Sequence, residues 1–182
     1  MKKSFGVQTF LYPMPVLMIA SYDENDVADV MVAAWGGIHD TNQIGVCISP
    51  EHKTAKNIML KKAFTVSLAD EKHIKACDYL GLVSANKEPD KVKKSGFTLS
   101  RAEKVDAPVI NELSVAIECK LLSYDEKTGC AVADIVNVSA EEDVLTDGKI
   151  DISKIKPVIY NPVNHSYVKS GETLCEAFKS RL

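Results

Sequence analysis

Residues 113–139 constrain the fold more than any other stretch of this chain. In LSVAIECKLL, Leu113, Val115, Ile117, Cys119 and Leu121 alternate with Ser114, Ala116, Glu118 and Lys120. A period of two gives a strand one apolar face and one wetter face. GCAVADIVNVSAEE continues the alternation with Val132, Val136 and Val138, and YDEKTG between the two carries turn residues. The pattern predicts a long antiparallel hairpin with those residues facing a core. Further strands are expected at PVLMIASY, ADVMVAAW, IGVCIS and FTVSLAD, with DENDVAD as a polar hairpin loop between the first two. Helices are few: TAKNIMLKKA, EKHIKACDYLG and, at the end, TLCEAFKSRL each place apolar residues at helical spacing. Strands in hairpins with helices between some of them favour a mainly β fold with α additions, a mostly antiparallel barrel, over a doubly wound parallel sheet.

With 182 residues, 46% of them hydrophobic, the chain is expected to form a single domain over 1–182. Its 22 basic and 25 acidic residues are mixed along the sequence, so neither nucleic acid nor an anionic membrane is the expected partner. Pro13 and Pro15 divide the apolar opening, and no apolar run reaches the roughly 20 residues of a membrane span. The five cysteines are widely spaced without a CxxC pair, against a disulfide framework or a structural zinc site, and each is read as a small core residue. A cytoplasmic location follows as the expectation. The four histidines show no metal-ligand spacing, and HExxH, GxSxG and GxGxxG are absent, so no metal site and no catalytic side chain is expected.

Three segments could carry chemistry. In CISPEHKTAKN a strand leads into a helix, with Ser49, His52, Lys53 and Thr54 at the junction. Free amides, a hydroxyl and a cation at a helix start suit a phosphate; equally, Ser49 or Thr54 could only cap the helix while Lys53 points into solvent. In VAAWGGI, Ala34, Gly36 and their neighbours let something flat approach the backbone beside Trp35, or else form a barrel corner with Trp35 as a core anchor. Residues 84–112 form a polar, lysine-rich stretch in which Ser84, Asn86 and Lys91 either serve a ligand or belong to a solvated loop. Pro108 suggests that this stretch docks again before the next strand.

In order along the chain, YPMPVLMIAS, DVMVAAW, ISPEHKTAKNI, SANKEPDKV, DAPVINELSVAIECKL and YVKSGETLCEAF resemble the flavin reductase-like family of FMN-binding split barrels, and within it the flavoredoxin type. Asp29 stands where that pattern usually has Asn, Ala85 where it has Gly and Val92 where it has Phe, and the Pro pair often found after the Trp segment is absent at Asn42-Gln43. The resemblance implies an antiparallel split β-barrel and noncovalent FMN at a homodimer interface. It implies a phosphate near His52, Lys53 and Thr54, a ring against Ala34, Trp35 and Gly36, and Ser84, Asn86 and Lys91 on the ribityl chain or ring. The implied activity is that of an oxidoreductase taking hydride transiently from NADH or NADPH and passing electrons to flavin or another acceptor. An alternative is a flavoredoxin-like carrier that exchanges electrons with a redox protein without nicotinamide turnover; a third is a degenerate barrel that binds another small molecule. Flavin would carry the redox chemistry itself.

Overall fold

The computed structural model of the protein describes residues 1–179. Its elements in chain order are β1 (Met14–Pro15), β2 (Leu17–Tyr22), β3 (Ala28–Ala33), β4 (Gly36–Asp40), β5 (Gln43–Cys47), α1 (Lys53–Lys61), β6 (Ala63–Leu68), α2 (Ile74–Leu82), α3 (Lys91–Ser95), β7 (Leu99–Arg101), β8 (Pro108–Ile110), β9 (Val115–Asp125), β10 (Cys130–Ala140), β11 (Leu145–Thr146), β12 (Lys149–Ile150), α4 (Ile152–Ile155), β13 (Val158–Asn161) and β14 (Ser166–Lys169). Seven strands form the main sheet in the order β3-β2-β6-β9-β10-β5-β4, every pair antiparallel.

That order dictates a curled sheet. β3 and β4 lie on opposite edges, yet only Ala34 and Trp35 separate them in the chain. Three peptide steps reach roughly 10 Å, so the two edges must approach one another at this end. They meet without pairing, and the result is a split antiparallel β-barrel. A Cβ built on Gly36 would stand 2.8 Å from both Leu17 Cδ1 and Val46 Cγ1, side chains of β2 and β5. The wall is therefore closed by packing where it is not closed by hydrogen bonds.

The barrel interior holds Leu17, Ile19, Val46, Phe64, Val66 and Cys119, with Ala55 and Ile58 of α1 plugging one end. A second core lies outside the barrel, where α2 covers β2 and β3 through Met18, Val30, Cys77 and Leu80. A separate three-stranded sheet, β1-β13-β14, flanks it.

The 113–139 hairpin forms with Leu113, Val115, Cys119 and Leu121 buried, but Ala116 and Glu118, expected on the wetter face, are buried too, Glu118 accepting from Asn137 Nδ2 at 2.7 Å and from the Lys104 amide at 2.6 Å. On β10 the expected face is reversed. Ala131 and Ala133 point inward with Ile135 packed against the core, whereas Val136 and Val138 are exposed. Register shifts at Val132/Ala133 and Ile135/Asn137 interrupt the ladder, but the inward face is set by pairing: Ala131 and Ala133 stand opposite the buried Val46 and Ile44 of β5, and cross-strand partners share a face. Residues 84–112 are more ordered than their composition suggests, containing α3 and the β7–β8 hairpin. Docking at Pro108 occurs as expected: its carbonyl accepts a hydrogen bond from Thr65 Oγ1 at 2.5 Å, and Ala107 is fully buried. No helix forms over residues 170–179, and Leu174 and Phe178 are exposed; the rest of the helix expected over 173–182 lies outside the described residues. A short helix draws most of its stability from a packed apolar face, and here Leu174 and Phe178 are not packed. No helix among the described residues is long and apolar enough to cross a membrane.

Candidate functional site

α1 begins as β5 leaves the barrel, through the turn 48–52. His52, with φ −66° and ψ 140°, precedes the first helical residue, and no side chain caps the helix. The amides of Lys53, Thr54 and Ala55 have no acceptor among the described residues. The capping alternative for Ser49 and Thr54 is thereby removed. Ser49 contributes its carbonyl, which accepts the His52 amide at 3.1 Å, and is itself exposed. An α-helix of nine residues with open first-turn amides offers donors and a positive dipole end to an anion.

The cations nearby are engaged. Lys53 Nζ donates to Asp23 Oδ2 at 2.9 Å. Burial alone would raise the Asp23 carboxyl, yet the Lys53 bond and the amides of Val27 and Asn25 together hold it below its ordinary range. Lys91 Nζ is buried 3.0 Å from Asp29 Oδ1 and donates to the carbonyls of Val83 at 3.1 Å and Leu80 at 3.4 Å. The other Asp29 oxygen accepts from Thr54 Oγ1 at 2.6 Å. Asp29 therefore ties β3 to α1, to the end of α2 and to α3. The ammonium of Lys91 completes the carbonyl end of α2, where a cation is favoured. His52, exposed at the helix start, remains as a side-chain donor for an anion.

A small cavity of about 140 Å³ brings together His52, Lys53, Thr54, Ser84 and Lys91. A neighbouring groove of about 490 Å³ shares Gly81 and Leu82 with it and runs to Ala34 and Trp35. A third, of about 760 Å³, continues past Ala34, Trp35 and Gly36 beneath the segment 5–15. Nine of the ten nominated residues thus fall along or beside one path from the α1 start to the barrel split, counting Ser49 in the turn. Asn86 does not: its side chain is exposed, and only its amide, donating to Ser84 Oγ at 3.3 Å, faces the site. Trp35 is 57% exposed, so it is not a core anchor.

Several residues of this groove escaped the sequence reading. Tyr167 donates to Asp78 Oδ1 at 2.6 Å, and burial, then Asp78, pushes its phenol far up. Tyr160 Oη lies 2.8 Å from His165 Nδ1, and the two tyrosine rings are 6.1 Å apart. The alternation of VIYN and SYVK around NPVNH marks a hairpin, the signal that would have placed Tyr160 and Tyr167 on one face. No group of three or more potential metal ligands occurs among the described residues.

A sequence model described as the flavin reductase like domain matches residues 9–164. The chain is 37% identical to flavoredoxin of Desulfovibrio vulgaris (Miyazaki F), covering 99% of each chain with a TM-score of 0.94. It is 29% identical to flavoredoxin from Methanosarcina acetivorans, covering 98% of this chain and 97% of that one with a TM-score of 0.87. An uncharacterized protein from Aeropyrum pernix is 30% identical over 122 residues, which are 66% of this chain and 46% of that one. The chain spans about half the length of the curated relatives it matches.

Proposed function

Given that the chain belongs to the flavin reductase-like family, we propose that it binds FMN noncovalently and works as an FMN-dependent oxidoreductase. The observation that carries this reading is the path from the open amides of α1, past Gly81 and Leu82, to the exposed face of Trp35. It matches a ligand with an anionic end, a polar chain and a flat ring. The fit is good on chemical grounds. The amides of Lys53 and Thr54 with His52 would hold the phosphate, while the Lys53 ammonium stays tied to Asp23. Ser84 lies where a hydroxylated chain would pass. Ala34, Trp35 and Gly36 line the broad end, and Tyr160 and Tyr167 narrow the groove leading to it. Bound flavin supplies hydride and single-electron chemistry.

This chain's own residues bind, orient and exclude water. Lys91 serves the site indirectly: its ammonium fixes the 80–85 turn against Asp29, so the ribityl side of the path is held by an interior ion pair. NADH or NADPH is the proposed donor. The 37% identity to a flavoredoxin favours a second reading, a carrier that exchanges electrons with a redox protein and does not turn over nicotinamide. A second copy of this chain is the proposed cover for Trp35 and Ile38, both exposed at the split.

One experiment tests both readings. Purified protein reconstituted with FMN is mixed anaerobically with NADH or NADPH, and the flavin absorbance is followed. Rapid bleaching supports the reductase; bleaching by dithionite or a protein donor alone supports the carrier. Binding itself is read by quenching of Trp35 emission, and His52→Ala is expected to weaken FMN about tenfold, the loss of one charge-assisted contact of about 1.5 kcal/mol. Emission unchanged by FMN, with no flavin retained, would reject the site.

A further inference from the structure

The site leaves the cysteines unused, and three of the five are not the core residues expected of them. Cys77 and Cys119 are buried and Cys175 is exposed, whereas Cys47 and Cys130 are half-buried with their sulfurs 3.0 Å apart. The ladder explains the contact. Cys47 and Cys130 are direct partners on β5 and β10. The Cys47 amide donates away from β10, to the Trp35 carbonyl at 2.8 Å, while the next amide, Ile48, donates to the Gly129 carbonyl at 2.7 Å. The two cysteines thus form a non-hydrogen-bonded antiparallel pair, the position where opposed Cα atoms approach to about 4.5 Å and side chains are closest. That spacing lies within the range a disulfide bridges.

We propose that Cys47 and Cys130 form a reversible dithiol–disulfide couple that exchanges with small-molecule disulfides. One cysteine sulfur attacks the external disulfide, forming a mixed disulfide and releasing one thiol. The second sulfur, already in contact, attacks the protein-bound sulfur of that mixed disulfide, releases the second thiol and closes the internal bond. Two cysteine thiols lose two electrons and two protons, and the external disulfide gains them as two thiols. The bond joins residues 83 apart in sequence and fastens β5 to β10 immediately before the 48–52 turn that presents the α1 amides. Partial exposure keeps both sulfurs within reach of a small reagent, as exchange requires. The Cys47 thiol is pushed up to about 11 by its hydrogen bond with Cys130 and by burial, so exchange speeds up as pH rises.

The test uses the whole chain carrying Cys175→Ser, which removes the exposed thiol and its intermolecular bonds. Samples are equilibrated over a series of oxidised to reduced glutathione ratios, quenched in acid, alkylated and mapped by mass spectrometry. A peptide linked through 47 and 130, both thiols lost together at one midpoint, and full recovery with dithiothreitol are expected. Cys47→Ser and Cys130→Ser should each leave a glutathione adduct on the remaining member and abolish the linked peptide. Either of two results would overturn the proposal: both thiols still alkylated in fully oxidised glutathione, or separate glutathione adducts on both without an internal bond. Mapping the unsubstituted pair decides the matter even if the serine variants fail to fold.

Discussion

Gly36 and Gly37 stand side by side and are glycine for different reasons. A methyl group on Gly36 would collide with Leu17 and Val46 at 2.8 Å, while one on Gly37 meets nothing within 4 Å. Close approach to a ligand is therefore not what excludes a side chain from Gly36; packing across the barrel split does. Gly36→Ala is expected to destabilise the protein by about 1–3 kcal/mol, and Gly37→Ala to change the thermal midpoint little, both read from melting curves. Asp29 shows the same dependence on surroundings. Where the family pattern has Asn, this chain has a carboxylate whose charge is answered by Lys91 and whose second oxygen takes the Thr54 hydroxyl. Removing one partner of a buried pair leaves an uncompensated charge. Lys91→Met should cost about 3–5 kcal/mol in urea denaturation, and Asp29→Asn in the same background should recover part of it.

Among the elements, α1 and α4 show opposite solutions at a helix start. α1 has no side-chain cap and keeps its amides open, the arrangement an anion site needs. α4, only four residues long, is capped by Asp151, which accepts from Ser153 N at 2.9 Å and Ser153 Oγ at 2.6 Å and from Thr146 Oγ1 at 2.7 Å. The Ser153 hydroxyl first, then Thr146, brings the Asp151 carboxyl down to about 2. A carboxyl lowered in the folded state stabilises it above the ordinary carboxylate pKa, near 4, and loses that contribution as pH falls toward 2. Asp151→Ala should therefore lower the melting temperature at pH 6, with the difference from the parent protein shrinking as pH falls from 4 through 2. The β9–β10 hairpin teaches a related lesson. Its strand pattern was plain, but pairing with the buried Val46 and Ile44 of β5 puts alanines inside and Val136 and Val138 outside, which alternation alone could not reveal.

For the whole molecule, the decisive fact is that a sheet whose edge strands are two residues apart in the chain has to curl. Trp35, and Ile38 on the edge strand β4, are exposed at 57% and 74% along one rim of the split. Apolar residues clustered at a rim are costly to leave wet, and a second copy would cover them. Light scattering after size-exclusion chromatography should give twice the chain mass, and Ile38→Asp should shift the protein toward the monomer at equal concentration. A monomeric parent protein would remove the second copy from the proposed site without touching the α1 end of it.

What the sequence by itself determined was local: the strand segments, the turn at 23–27, the helix start after Ser49 and the order of segments that resembles the family. These are legible because pleat alternation, turn residues and helix boundaries are set by neighbours within a few positions. Only the tertiary structure decided which charges remain available, since Lys53 is taken by Asp23 and Lys91 by Asp29, partners 30 and 62 residues away. It decided too that Thr54 braces Asp29, that Cys47 meets Cys130, and that Leu174 and Phe178 stay exposed. In each case the deciding energy comes from a contact across the fold, and a linear pattern holds no record of which distant residue arrives to make it.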